Sequence, residues 1–244
     1  MSLAHDKYME LQRLRNADPL PIEPQRTALM IIDMQEYFLN SDSPFSRACN
    51  ASVPGVLDYF QERGRTIVEP ALQRLLTCFR AHQMRVIYTT VASELTDGSD
   101  LMPVMKQRNA ISQERQQEAF IPARTDAWAR IVPILEPQDN DLVINKTTYG
   151  TFTSTGLDHT LRNLGMTTLV IGGVVTNVCV ETTARDASDL GYGVILVDDA
   201  CAAHSPEIHE ASLLSFQGPF GRVRSTDDIV TLIEQAARDA ALAG

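Results

Sequence analysis

Strand-length apolar runs alternate with segments of helical spacing along the whole chain, and this alternation restricts the fold more than any other feature. The runs are residues 27–32 (TALMII), 85–91 (RVIYTTV), 141–144 (DLVI), 167–171 (TTLVI) and 193–197 (GVILV), with a shorter one around Val223. Continuous rather than alternating apolar character is what a strand covered on both faces requires. Ile67, Ala71, Leu72, Leu75, Leu76 and Phe79 recur at helical spacing, as do Leu157, Leu161 and Leu164, and Ile229, Leu232, Ile233 and Ala236. The pattern predicts an α/β fold: a three-layer, doubly wound, mostly parallel sheet of about six strands with helices on both faces.

Boundary residues sharpen this reading. Asn177 is placed to cap a helix running to about Leu190 and ending at Gly191, and Gly165 is placed to end the one before it. Ser205-Pro206 reads as the cap and first residue of another helix, and Thr226 opens the last. Residues 1–26 read as an arm, with Tyr8, Leu11 and Leu14 on one side of a short helix before Pro19, Pro21 and Pro24 force an extended run. Residues 27–244 form a single domain. Two long stretches, 34–65 and 92–124, show no clear continuous period and read as connections of the kind that form lids, interfaces or specificity loops. Lys106, Arg108, Arg115 and Arg124 in the second could meet an anionic substrate group or be solvated surface charge.

Composition excludes several roles. With 21 Lys and Arg against 31 Asp and Glu, the formal net charge is -10, which repels a phosphate backbone, so nucleic acid is not expected as a partner. No apolar run reaches membrane-spanning length, so no membrane partner is expected, and the N-terminal residues lack the apolar core of a signal peptide. The four cysteines, Cys49, Cys78, Cys179 and Cys201, show no paired spacing and read as reduced thiols of a cytoplasmic protein.

Three reactive residues stand at the exits of predicted strands: Asp33 after the first, Lys146 after the third, and Cys179 beyond the glycine-marked turn after the fourth. Buried charge is costly without partners or function, and ligands of doubly wound sheets bind at the carboxyl ends of strands. A thiol where a helix begins is also favoured as thiolate by the helix dipole. Each residue alone has a bland alternative: a turn-capping Asp, a surface Lys, a buried Cys. Together they suit acyl transfer. Asp33 takes the Cys179 proton, Lys146 holds the carboxylate, the sulfur attacks an amide carbonyl, and backbone N–H groups before the helix receive the oxyanion. The glycines at 172 and 173 continue into Val-Val-Thr, so a dinucleotide site is only weakly supported.

The motifs ALMIIDMQEYF, VINKTTYGTF and GGVVTNVCVETTARDASDLGY, in that order, resemble those of the isochorismatase-like cysteine hydrolase superfamily. That group includes nicotinamidases and the N-carbamoylsarcosine, ureidoacrylate and biuret amidohydrolases. The resemblance implies an Asp33, Lys146, Cys179 triad and an oxyanion hole from the N–H groups of Val175 and Cys179, with a cis peptide between Val174 and Val175. It also implies a pocket lined by Gln35, Phe38, Tyr149, Phe152, Thr176 and Asn177, and a homo-oligomer, dimer or tetramer. No histidine occurs between His82 and His159, so the zinc site of nicotinamidases is missing and neither metal nor cofactor is expected. Cys179 itself separates the chain from the vinyl-ether-cleaving isochorismatases, which commonly lack that cysteine. The expected activity is hydrolysis of a C–N bond in a small amide, ureide or carbamoyl compound through a thioester. The alternatives are an isochorismatase-type hydrolase of a non-amide molecule, or an interaction protein that kept the fold.

Overall fold

The computed structural model describes residues 3–243; Met1, Ser2 and Gly244, the outermost residues of the expected arm and domain, lie outside it. Strand β1 (Thr27–Ile32) is buried at every position. Leu29 and Ile31 enter one apolar layer, and Ala28, Met30 and Ile32 enter the other. That is the two-sided burial its unbroken apolar sequence requires. It pairs in parallel with β2 (Arg85–Val91) on one side and β4 (Thr168–Val174) on the other. With β3 (Leu142–Lys146), β5 (Gly193–Ala202) and β6 (Arg222–Arg224), the sheet has the order β3-β2-β1-β4-β5-β6. All five pairings are parallel, so the expected doubly wound sheet is formed and is parallel throughout. Strand order reverses between β1 and β4, which places the topological switch point at their carboxyl ends.

The arm forms α1 (Leu3–Ala17). Tyr8, Leu11 and Leu14 share a side, but it is the exposed one, and Gln12 is buried instead. Polar groups attach the arm: Val223 N–H donates to Asn16 Oδ1 at 2.8 Å and Arg222 Nε donates to Asp18 O at 2.8 Å, against the β6 edge. The stretch 34–65 contains α2 (Glu36–Leu39), α3 (Pro44–Ser52) and α4 (Asp58–Arg63). From α4 a π turn, Gly64–Val68, leads without a break into α5 (Glu69–Ala81). That turn rotates Ile67 outward to 41% exposure, contrary to its expected inward position, while Leu72, Leu75, Leu76 and Phe79 are buried as predicted. The stretch 92–124 holds α6 (Pro103–Gln116), whose buried residues are Met105 and Ser112 alone, too few to write a period into the sequence. Two short helices, α7 (Thr151–Ser154) and α8 (Leu157–Asn163), follow β3. Gly165 lies at φ +70 after α8 and Gly191 at φ +92 after α9 (Glu181–Asp189), the left-handed turns that glycine allows. Ser205 accepts the Ile208 N–H and Pro206 opens α10 (Pro206–Phe216), as read from sequence. In α11 (Thr226–Ala243) Ile229 and Ile233 are buried, but Leu232 is not.

Two corrections concern the region of the fourth strand. Gly172 and Gly173 do not form a turn; they remain inside β4. Gly173 pairs with Ile32 of β1 at φ +121, and a Cβ there would collide with the Ile32 backbone N and carbonyl O. The glycine therefore lets two strand backbones approach closely at the switch point. β5 responds with an irregularity: Ile171 pairs with Leu196, yet Gly173 pairs with Cys201, so the segment around Asp198 and Asp199 bulges from the ladder. Asp199, expected to lie just past the strand, is in the bulge, where its Oδ1 accepts the Thr226 N–H at 2.8 Å and O–H at 2.9 Å and caps α11.

Gly173→Ala is expected to lower stability by about 3 kcal/mol, through overpacking at a backbone conformation that alanine resists. The midpoint of urea unfolding, compared with Gly165→Ala where nothing lies within 4 Å of the added Cβ, separates collision from φ strain.

Candidate active site

Asp33 leaves β1 at φ 52, with its N–H donating to Thr89 O at 3.1 Å. Its side chain is fully buried, as is that of Lys146 at the end of β3. Lys146 lies two strand spacings from β1, about 10 Å, a gap only a long side chain can reach across. Its Nζ donates to Asp33 Oδ2 at 2.7 Å and to Thr148 O at 3.1 Å. The other carboxylate oxygen accepts the Thr89 hydroxyl at 2.7 Å. Removing two ions from water costs several kcal/mol each, recovered only when their remaining hydrogen-bonding capacity is also met. Thr89 and the Thr148 carbonyl meet it. Burial works most strongly against the Lys146 ammonium, but Asp33 and Cys179 together outweigh it and hold the pKa above that of a free lysine.

Cys179 is 3% exposed and lies against this pair, close enough for both charges to act on its sulfur. Burial pushes its thiol up to about 12; Lys146 opposes the rise and Asp33 adds to it. This corrects the expectation of a helix-stabilised thiolate. The regular helix α9 begins at Glu181, and Cys179 sits in a preceding π turn, Thr176–Val180, sealed from water. Desolvation of the charged sulfur outweighs the field of the helix end. The resting group is a thiol beside a carboxylate that can accept its proton.

The Val174–Val175 peptide is cis, as the resemblance implies. Among the described residues the Val175 N–H has no acceptor, while the Val175 carbonyl receives the N–H groups of Val178 at 3.0 Å and Val180 at 3.3 Å. Val175 and Cys179 are both buried at the two ends of one turn, and the unpaired Val175 N–H is a donor without a partner.

The other expected site residues divide. Phe38 is buried and packs on Tyr37, ring centroids 4.0 Å apart, and Tyr149 lies between the two apolar layers. Gln35 is used as a brace: its Oε1 accepts the Val91 N–H at 2.8 Å and its Nε2 donates to Ala129 O at 2.7 Å. Phe152 turns toward Tyr192, at 6.1 Å, before the amino end of β5, so it is not brought to the triad. Asn177 is exposed and caps nothing; the turn begins after Val175 without a side-chain cap. Thr176 is fully buried, with its hydroxyl 2.9 Å from His209 Nδ1. Sequence reading missed Thr89 as a partner of Asp33, although a threonine pair in an apolar strand was a visible signal. Tyr37, close to Asp33 in the sequence but outside the expected pocket set, has a hydroxyl pKa raised by burial and then by Asp33 and Cys179. His209 had no sequence signal at all. The stretches 34–65 and 92–124 meet at a cleft lined by Tyr37 and Pro44 from the first and Gln113, Gln117 and Phe120 from the second. All four cysteines are free. Among the described residues no helix is long and apolar enough to cross a membrane, and no three His, Cys, Asp or Glu side chains are grouped to hold a metal ion.

Lys146→Met is expected to destabilise the protein by about 3–5 kcal/mol, because it leaves the Asp33 carboxylate buried without its counter-ion. In a cycle with Asp33→Asn, the double variant should recover much of that loss in urea unfolding; full additivity would contradict the coupling.

These motifs and this geometry have known counterparts. The Isochorismatase domain matches residues 27–228. The isochorismatase family protein YwoC of Bacillus subtilis is 31% identical over 215 residues, covering 88% of this chain and 98% of its own. The ureidoacrylate amidohydrolase RutB of Acinetobacter baylyi is 31% identical over 234 residues, covering 91% and 90%. Among solved structures, a cysteine hydrolase from Pseudomonas syringae pv. phaseolicola superposes with a TM-score of 0.73 at 30% identity, covering 89% of this chain and 97% of that one. Domain match, relatives and fold agree, and the chain belongs to the isochorismatase-like cysteine hydrolase superfamily.

Proposed function

We propose that this protein is a cysteine-dependent amidohydrolase that cleaves the C–N bond of a small amide, ureide or carbamoyl compound through a thioester. The observation that supports this most is the burial of Cys179 against the Asp33–Lys146 pair, next to the unpaired Val175 N–H. Similarity to an amidohydrolase of ureidoacrylate supports the bond type.

The protonation of the cluster supports a particular order of events. Burial pushes the Cys179 thiol up to about 12, which favours a thiol over a preformed thiolate as the resting group. Asp33 takes the Cys179 proton as the sulfur–carbon bond forms, which keeps the net charge of the buried cluster unchanged. Lys146 stays an ammonium and holds the carboxylate in place. The carbonyl oxygen gains negative charge and receives hydrogen bonds from the N–H groups of Val175 and Cys179. Asp33 then gives its proton to the departing nitrogen as the C–N bond breaks, leaving a thioester and ammonia or an amine. Water, losing a proton to Asp33, attacks the thioester; the C–S bond breaks and the proton returns to sulfur.

Two outcomes test this. Screening small amides and ureides for ammonia release should identify a substrate whose turnover falls at least about 1000-fold in Cys179→Ala, with urea unfolding of the variant near that of the wild type. Full turnover in Cys179→Ala would sink the covalent route. Separately, the rate of Cys179 alkylation by iodoacetamide should rise about tenfold per pH unit through pH 10, since a thiol raised to about 12 is still gaining thiolate there. A plateau near pH 8 would show an ordinary or activated thiolate and reject the buried resting thiol.

A further inference from the structure

The turn that bears Val175 and Cys179 is held from behind by groups the reaction does not use. Thr176, between the two, is fully buried, and its Oγ1 lies 2.9 Å from His209 Nδ1 on α10. His209 is 4% exposed, and its Nε2 lies 2.8 Å from Asp198 Oδ1 in the β5 bulge. Nε2 faces both Asp198 Oδ1 at 2.8 Å, which only accepts, and an Arg63 NH2 group at 3.1 Å, which only donates; the shorter contact assigns the ring proton to Nε2. In the neutral imidazole Nδ1 is then the acceptor and the Thr176 hydroxyl donates to it. Arg63 of α4 completes the support. Its Nε donates to Cys201 O at 3.0 Å, and an NH2 group donates to Asp198 O at 3.2 Å and pairs with Asp198 Oδ1 at 3.4 Å. His209 alone touches the hydroxyl, and the β5 bulge and α4 in turn hold His209.

A buried histidine with satisfied nitrogens is often simply part of a core. This one differs in its address. Its hydroxyl partner is the residue directly after Val175 and three before Cys179, the two N–H groups assigned to the oxyanion. Their usefulness depends on being held to about 0.5 Å of the position where charge develops. We infer that Asp198, His209 and Thr176 form a positioning relay that fixes the oxyanion turn, with His209 as its central positioning residue. The relay explains why β5 carries a carboxylate in its bulge, which sheet pairing alone does not require. The catalytic part of this inference rests on Cys179 as nucleophile; the positional part does not.

The test uses the full chain and three variants. His209→Gln puts an amide near the Nε2 position and reaches Asp198, but lacks an acceptor at Nδ1. His209→Asn keeps an acceptor at the Nδ1 position. Thr176→Val removes the hydroxyl. Hydrogen–deuterium exchange of the peptide covering 172–182 should accelerate at least about tenfold in His209→Gln and Thr176→Val, and His209→Asn should recover most of the protection. Hydrolysis of p-nitrophenyl acetate gives the chemical readout. Cys179 Sγ bonds to the acetyl carbon as its proton passes to Asp33, p-nitrophenolate leaves, Asp33 releases that proton to solvent, and water, losing a proton to Asp33, then displaces acetate as the proton returns to sulfur. Its kcat should fall about 10- to 100-fold with KM within about threefold, the mark of donors used in the transition state. Alkylation of Cys179 by iodoacetamide develops no oxyanion and should change less than about threefold. Unchanged exchange over 172–182 overturns the relay, and so do exchange accelerated across the whole chain and loss of alkylation in step with ester turnover. If wild-type Cys179 is alkylated but never acylated, the amidohydrolase reading fails while the exchange comparison still decides the relay.

Discussion

The buried pair of Asp33 and Lys146 sets the terms for everything else at the switch point. Two full charges with no exposure, 2.7 Å apart, are an expensive way to fill a protein interior, and two apolar side chains would fill it at lower cost. The pair is tolerated because each ion has further partners: the Thr89 hydroxyl and the Thr148 carbonyl. Those partners come from β2 and from the segment after β3, so the ion pair can form only when three adjacent strands are in register. Buried charge therefore enforces the arrangement of the rim as well as occupying it.

The same pair governs the cysteine. With Lys146 positive and Asp33 negative, the cluster is neutral only while Cys179 keeps its proton. A free thiolate would add a net negative charge in a space without water, and burial pushes the thiol up to about 12. In the proposed reaction the sulfur therefore needs a base at the moment of attack, and the carboxylate that Lys146 holds lies beside it. A preformed thiolate would be exposed to oxidation and alkylation continuously. Under the proposed mechanism, burial of the thiol would confine its reactivity to molecules small enough to enter.

Much of this was readable in the chain because burial on two faces writes itself into sequence. Five strands lie within a residue or two of their apolar runs at the starts, and the charges at 33 and 146 stood out against those runs. What was not readable depended on contacts between distant segments. α6 buries two side chains, so no period marks it. The π turns at 64–68 and 176–180 have no signature in residue spacing, which is why Ile67 and Asn177 were misplaced. The resemblance placed Gln35 in the pocket, yet its amide is consumed by the Val91 and Ala129 backbone. The glycine pair was recognised as special, but as a turn; that Gly173 makes room for the Ile32 backbone is a tertiary fact.

That close approach has consequences beyond its own strand. Where β4 moves against β1 at Gly173, β5 loses register and the segment between Leu196 and Cys201 leaves the ladder. Its two carboxylates, freed from strand geometry, point to different tasks. Asp199 caps α11 through Thr226, and Asp198 meets His209, which in turn receives the Thr176 hydroxyl at the turn bearing the unpaired Val175 N–H. A single glycine thus links the tightness of the central strands to a bulge, and the bulge to the support of the turn. A larger residue at 173 would push β1 and β4 apart where Asp33 and Cys179 must meet. The meeting of Asp33 with Cys179 and the brace behind the turn thus lie on either side of the strand that carries Gly173.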